Sequence, residues 1–243
     1  MYNLLISFGS CVLVFLLLSL VFGVPWWIAF LAAATLFSAT YLLIARYVTK
    51  KVSAIMEGAG RDIQGQRIEK AVRSLQEALR FGPWQISIAG QIHSQIGMIY
   101  YMKRDFSNAF SHLEKSFAKN WMAMGMLAIS YMKRNKKEKM VATFEKAIQW
   151  SSKESLLWNL YAYCLNECGD TEKAIQVLEK GQKKLPGDER LLANLEGLKT
   201  GKKMKMKSYG DMWLQFHLER QSVVMKQQAA ALGGMARRRI IRK

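Results

Sequence analysis

Few residues in this 243-residue chain have the types and spacing that chemistry requires. The three histidines, His93, His112 and His217, are isolated along the sequence, with no His-Glu-x-x-His pair and no nucleophile elbow. Cys164-x3-Cys168 puts two thiols on one helix face, but a structural zinc site takes four ligands, and neither a second Cys pair nor a His pair accompanies them. The run from Gly197 to Lys203 approaches a phosphate loop, yet it is one residue short, no Ser or Thr follows the lysine, and no strand precedes it. The sequence therefore assigns no catalytic residue, no cofactor and no metal ligand, and points to binding rather than to an enzyme.

The elements that would carry a binding surface are set by an uneven charge distribution. The chain has 36 basic and 18 acidic residues, a net charge of +18, and the first charged side chain is Arg46. A single uniform globular domain is excluded by that asymmetry. Three Cys cannot form a disulfide framework, and 17 Gly with 3 Pro is neither collagen-like nor low-complexity. An apolar start followed by a basic soluble part remains.

From Leu4 to Phe22, 14 of 19 residues are Leu, Ile, Val or Phe, a length that crosses a hydrocarbon core. At insertion free energies of about 0.3 to 0.6 kcal/mol per residue, they contribute roughly 4 to 8 kcal/mol. Trp26 to Ala45 holds only eight such residues, which gives roughly 2 to 5 kcal/mol. Gly23-Val24-Pro25 between them reads as a helix stop, and the following Trp pair suits a membrane interface. A transmembrane helical hairpin over residues 1–47 is expected, with spans of about 4–22 and 26–45. Small residues four apart (Ala29 and Ala33, Ala34 and Ser38, Thr35 and Ala39, and Ser7 and Cys11 on the first helix) offer close backbone approach. A cleaved signal peptide is disfavoured, because Met1-Tyr2-Asn3 has no Lys or Arg. Arg46, Lys50 and Lys51 follow the second span while the loop has no basic residue, so both termini and the soluble part are expected in the cytoplasm of a bacterium, with the hairpin in the inner membrane.

Beyond Arg46 apolar residues recur at three and four, and no sustained alternation marks a strand, so the expected class is all-α. The pattern repeats. Ile96-Gly97-x-x-Tyr100, Leu127-Ala128-x-x-Tyr131 and Tyr161-Ala162-x-x-Leu165 are spaced by 31 and then 34 residues. Each precedes a polar break and a second amphipathic helix, carrying Ala109-x3-Leu113, Met140-x3-Phe144 and Ala174-x3-Leu178. An earlier partial unit has Ala71-x3-Leu75, Ala78 and Pro83, with its first helix, Val52 to Ile63, running on from the second span.

This arrangement resembles the tetratricopeptide repeat, W-x2-L-G-x2-Y, then A-x3-F, then P over 34 residues. The third unit is fullest, with Trp158, Ala162, Gly169-Asp170, Ala174, Leu178 and Pro186. The first departs from it with His93 at the aromatic position and Trp121 at the proline position. The resemblance implies an α-solenoid of repeats over 48–200. A basic linker and capping helix over 201–225, with its helix from Asp211 to Met225, and a basic tail over 226–243 would follow.

The resemblance also implies a concave face lined by first helices that binds a protein or peptide partner. Its residues here would be Gln91, Ser94, Met98 and Tyr101, then Met122, Gly125, Ile129 and Met132, then Asn159, Tyr163 and Asn166. The basic residues with which some relatives clamp a terminal carboxylate are missing, whereas Met and Tyr suit an apolar helix or hydrophobic peptide. The alternative is a groove filled from within, by the cap around Trp213 or by an oligomer contact. From Lys199 onward, twelve Lys or Arg face only Asp211 and Glu219. The clusters Lys202, Lys203, Lys205, Lys207 and Arg237, Arg238, Arg239, Arg242 are expected to contact anionic lipid, at about 1 kcal/mol per residue. The expected function is a membrane-anchored scaffold or adaptor that recruits a partner at the cytoplasmic face. The alternatives are a chaperone-like accessory of secretion with its repeats outside the cytoplasm, and a membrane tether for nucleic acid or ribosomes through the basic tail.

Overall fold

A computed structural model describes residues 1–219, which form eleven α-helices with no strand among the described residues. The chain divides into two compact units, Met1–Leu127 and Ala128–Lys243.

The first unit opens with α1 (Tyr2–Leu16), continued by a π-helical turn over Leu17–Val21. Gly23, at φ 60°, and Pro25 reverse the chain into α2 (Trp26–Gln64). Both helices are long and apolar enough to cross a membrane. They pack on each other along a narrow seam of small and polar groups, with Ser7, Ala29, Ala33 and Asn3 all buried. Of the three small-residue pairs on α2, only Ala29 and Ala33 enter the seam, while Thr35, Ser38 and Ala39 are exposed. Large side chains point away from it: Leu20 is 77% and Phe22 71% exposed. For water that is an unfavourable surface, and for hydrocarbon it is the expected one.

No proline interrupts α2, so its apolar first half runs directly into a second half that packs against the following helices. There Val48, Val52 and Ala59 are buried against α3 (Ile68–Ala78) and α4 (Ile88–Met102), in one core with Ala71, Leu75, Ile92 and Ile96. Asp62, on the last turn of α2, is held by Arg67 at 2.8 Å and Lys70 at 3.4 Å. Then α5 (Phe106–Leu113), capped by Asp105 accepting from Asn108 N–H, folds back on α4. The contact is close, because a Cβ on Gly97 would lie 2.8 Å from Leu113.

Helix α6 (Trp121–Lys133) begins in the first unit and ends in the second. The second unit continues with α7 (Lys137–Trp150), α8 (Ser155–Glu167), α9 (Thr171–Lys184) and α10 (Glu189–Lys199). Phe144 stacks on Tyr161 with centroids 4.9 Å apart, joining α7 to α8. Gly181 of α9 fits between Trp158 and Leu191, each 3.0 Å from where its Cβ would stand. Asp188 caps α10 by accepting from Leu191 N–H at 2.8 Å.

The repeat is most visible in the backbone. Gln66, Arg104, Asn135 and Gly169 all have φ between 55° and 82°, each between the two helices of a pair. In each case the next N–H donates back to the carbonyl five residues earlier: Arg67 to Asp62, Asp105 to Tyr100, Lys136 to Tyr131 and Asp170 to Leu165, at 2.8 to 2.9 Å. This left-handed closure satisfies carbonyls left open at a helix end and starts the next helix at a fixed angle. Gly201 repeats it after α10, but no long helix follows it among the described residues.

Candidate protein-interaction surface

The residues expected on the concave face fall into two classes. Ser94, Tyr101, Gly125, Ile129 and Asn159 are buried, whereas Gln91, Met98, Met122, Met132, Tyr163 and Asn166 are partly accessible. The buried ones are used inside the fold. Ser94 Oγ donates to Gly90 O at 2.8 Å and accepts from Phe117 N–H at 2.9 Å, so it ties the segment after α5 to α4. Tyr101 meets Phe106 edge to face at 5.2 Å. Asn120 Nδ2 approaches Met98 Sδ at 3.7 Å, and Met98 is partly accessible. Thr171 Oγ1 donates to Asn166 Oδ1 at 2.9 Å across the α8 to α9 turn.

In the second unit the face of α8 is covered by the chain's own continuation. After α10, residues 202–205 run without helix, Met206–Tyr209 form a 3-10 turn, and α11 occupies Asp211–Leu214. Met206, Tyr209, Trp213 and Phe216 are all buried. A polar chain fixes this strap. Lys205 N–H donates to Asn194 Oδ1 (2.6 Å), Asn194 Nδ2 to Asn159 Oδ1 (2.8 Å), and Asn159 Nδ2 to the Tyr209 hydroxyl (2.7 Å), which lies 2.7 Å from Ser155 Oγ. Asn159 Nδ2 also donates to Ser155 O at 2.9 Å. Every polar atom of the Asn159 amide is thus used within the unit, at 0% exposure. Trp213 meets Tyr163 edge to face at 4.9 Å, and its Nε1 donates to Glu219 at 3.1 Å. Burial pushes the Tyr209 hydroxyl up to about 12, and the Tyr163 hydroxyl to about 12, with Glu167 adding to the latter. Both phenols are neutral at physiological pH.

The helix expected from Asp211 to Met225 reaches only Leu214 among the described residues, and its positions 220–225 lie outside them. Lys202, Lys203, Lys205 and Lys207 are exposed, flanking the buried Met206. Arg237, Arg238, Arg239 and Arg242, with the rest of the tail, lie outside the described residues.

Two groups that look isolated along the chain meet in space. His93 of α4 and His112 of α5 face each other with Nδ1 atoms 3.0 Å apart, and Tyr100 flanks His112. Burial, mutual repulsion and Lys115 hold the His93 ring below its usual titration range, and burial followed by Lys115 does the same for His112. The signal missed in the sequence was the repeat register itself, which puts one histidine on the first helix of the unit and the other on the facing side of the second. Cys164 is buried and its thiol is pushed well up by burial, while Cys168 is partly buried on the next turn. No cluster of three or more His, Cys, Asp or Glu is found among the described residues.

Comparison with known families agrees with this helical pattern. Residues 123–154 and 143–176 match two family models, both described as Tetratricopeptide repeat. The first match covers α6 and α7, and the second runs from the end of α7 through α8 into α9. They mark tetratricopeptide repeats within residues 123–176, and repeats of this kind generally bind protein partners and are typically non-enzymatic. No curated protein matches the chain significantly.

Proposed function

We propose that this chain is a membrane-anchored adaptor whose repeats recruit or assemble a protein partner at the cytoplasmic face of a bacterial inner membrane. The observation that carries this reading is the continuity of α2: one uninterrupted helix joins an exposed apolar hairpin to the helical repeats. A rigid join of this kind holds a binding module at a fixed height above lipid. Arg46, Lys50 and Lys51, exposed where the apolar half ends, favour the cytoplasmic orientation. The partly accessible Gln91, Met98 and Met122 in the first unit, and Met132, Tyr163 and Asn166 in the second, are the candidate partner contacts. In the second unit the strap occupies the face of α8, so a partner there competes with Trp213 and Tyr209. Lys202, Lys203, Lys205 and Lys207 supply an exposed cationic row suited to anionic lipid.

The test is topology followed by capture. A single cysteine at the exposed Ser107, with Cys11, Cys164 and Cys168 replaced, should stay unlabelled by a membrane-impermeant maleimide in intact cells and react after permeabilisation. Labelling in intact cells would instead favour the chaperone-like reading with external repeats. Crosslinking of full-length protein in membranes should then yield a partner that is lost on Met98→Glu. A complex that survives Met98→Glu yet dissolves in salt would favour the nucleic-acid tether.

A further inference from the structure

Where α3 gives way to α4, residues Leu79–Trp84 make a 3-10 turn followed by Gln85, Ile86 and Ser87. This turn packs against both helices of the hairpin. Trp84 meets Tyr2 edge to face with centroids 5.8 Å apart, and Gln85 is the partner of Thr49 Oγ1 at 3.4 Å. A cavity of about 130 Å³ is walled by Leu4 and Tyr41 of the hairpin on one side and by Trp84 and Ile86 on the other. Asn3 Nδ2, bonded to Tyr41 O at 3.4 Å, fixes α1 and α2 at this same level.

These contacts set a depth. Leu4 begins the first apolar stretch, and Tyr41 precedes the first charge, Arg46, by five residues, about 7.5 Å at 1.5 Å per residue. A turn that shares a cavity with Leu4 and Tyr41 and meets Thr49 through Gln85 spans the level of Arg46, within the polar layer flanking a bilayer's hydrocarbon core. Its composition fits that layer. Ile86 is 78% exposed, the largest exposure of any large aliphatic side chain outside the hairpin among the described residues, and Trp84 has the ring type enriched at lipid interfaces. No acidic residue occurs from Ala78 to Arg104, and Arg80, stacked 5.1 Å over Phe81, is an exposed cation able to reach phosphate.

We propose that the Phe81–Ser87 turn is a third membrane-contacting element, with Trp84 and Ile86 seated in the interfacial layer of the bilayer that holds the hairpin. The inference rests on the membrane reading of α1 and α2. It makes the first helical pair part of the anchor rather than a module hung from it, and the height and tilt of the first unit are then set by two points instead of one.

The test uses full-length protein reconstituted in vesicles of phosphatidylcholine and phosphatidylglycerol. A single cysteine carrying an environment-sensitive fluorophore is placed at Ile86→Cys, at Leu13→Cys in the hairpin, or at Ser107→Cys on α5, in a background of Cys11→Ser, Cys164→Ala and Cys168→Ser. Ile86 is exposed, so its replacement leaves packing intact. Site 86 should show blue-shifted emission that lipids spin-labelled near the headgroup quench, site 13 should be quenched by deeply labelled lipids, and site 107 should resist both. If site 86 behaves like site 107 while site 13 is quenched, the turn lies in water and the proposal is overturned with the hairpin reading intact. If site 13 also resists quenching, the membrane reading itself fails.

Discussion

Asn159 Nδ2 lies 2.7 Å from the hydroxyl of Tyr209, fifty residues further along the chain, and both residues are buried. That bond closes the polar chain through which α8 and α10 hold the strap. Arg190 covers the outer face of the Tyr209 ring at 5.1 Å. Tyr209→Phe removes the hydroxyl and leaves Ser155 Oγ and one Asn159 proton without a partner. The expected loss is about 1 to 3 kcal/mol, read as a lowered midpoint in denaturant for the detergent-solubilised protein. Tyr209→Ala also deletes the ring and should cost about 3 to 5 kcal/mol. Limited trypsin digestion at Lys202 to Lys207 should accelerate in the same order, because release of the strap frees the backbone there.

Gly97 approaches α5 more closely than any side chain permits. A Cβ would stand 2.8 Å from Leu113 Cδ2 and 3.2 Å from the Leu113 backbone nitrogen, and the backbone cannot rotate away as a side chain can. Gly97→Ala should therefore destabilise the first unit by about 1 to 3 kcal/mol, despite the better helix propensity of alanine. If the clash is the cause, Gly97→Ala should cost less in a Leu113→Ala background than in the wild-type chain. An equal cost of Gly97→Ala in both backgrounds would show that it is not.

The left-handed turn residues offer the opposite sign. Arg104 has φ 64° and Gln66 has φ 60°, a conformation that costs a residue bearing a Cβ about 1 kcal/mol. Arg104→Gly, at an exposed position, should raise stability by roughly 0.5 to 1 kcal/mol, or a few degrees in thermal midpoint. Gly169→Ala, at φ 82° in the matching turn, should lower it by a similar amount. Thermal scans of the three proteins side by side check both directions.

The His93–His112 pair makes the first unit sensitive to mild acid. Above the ordinary histidine value of 6.5, folded and unfolded chains both carry neutral rings, and the stability of the pair is complete. As pH falls through 6.5, the unfolded chain takes up protons that the folded rings resist, because burial, the facing ring and Lys115 oppose the charge. Stability should decline across that window and level off once the folded rings also protonate. Titration followed by imidazole NMR should place both rings below 6.5, and Lys115→Gln should move both upward. Rings titrating at 6.5 or above would sink this account.

Much of the architecture is written in residue type and spacing. An uncharged run of apolar residues needs no tertiary partner to declare itself, since its cost in water is a sum over its own side chains. The helical periods and the break at Gly23-Val24-Pro25 are local demands of the backbone, so they can be read one segment at a time, whereas the need for glycine at 97 and 181 is set by the helices that face them. Which face of each helix is used was decided only by packing. Ser94 and Asn159 occupy positions that would line a groove in the repeat pattern, yet Ser94 bonds to Phe117 N–H and Asn159 to Tyr209, because a buried amide or hydroxyl takes whichever partner the fold brings within reach. Likewise His93 and His112 are nineteen residues apart along the chain and 3.0 Å apart in space. The strap over α8 and the Trp84 turn against Tyr2 are contacts between segments distant in sequence. Their energy depends on the simultaneous position of several helices, and no single segment carries that information.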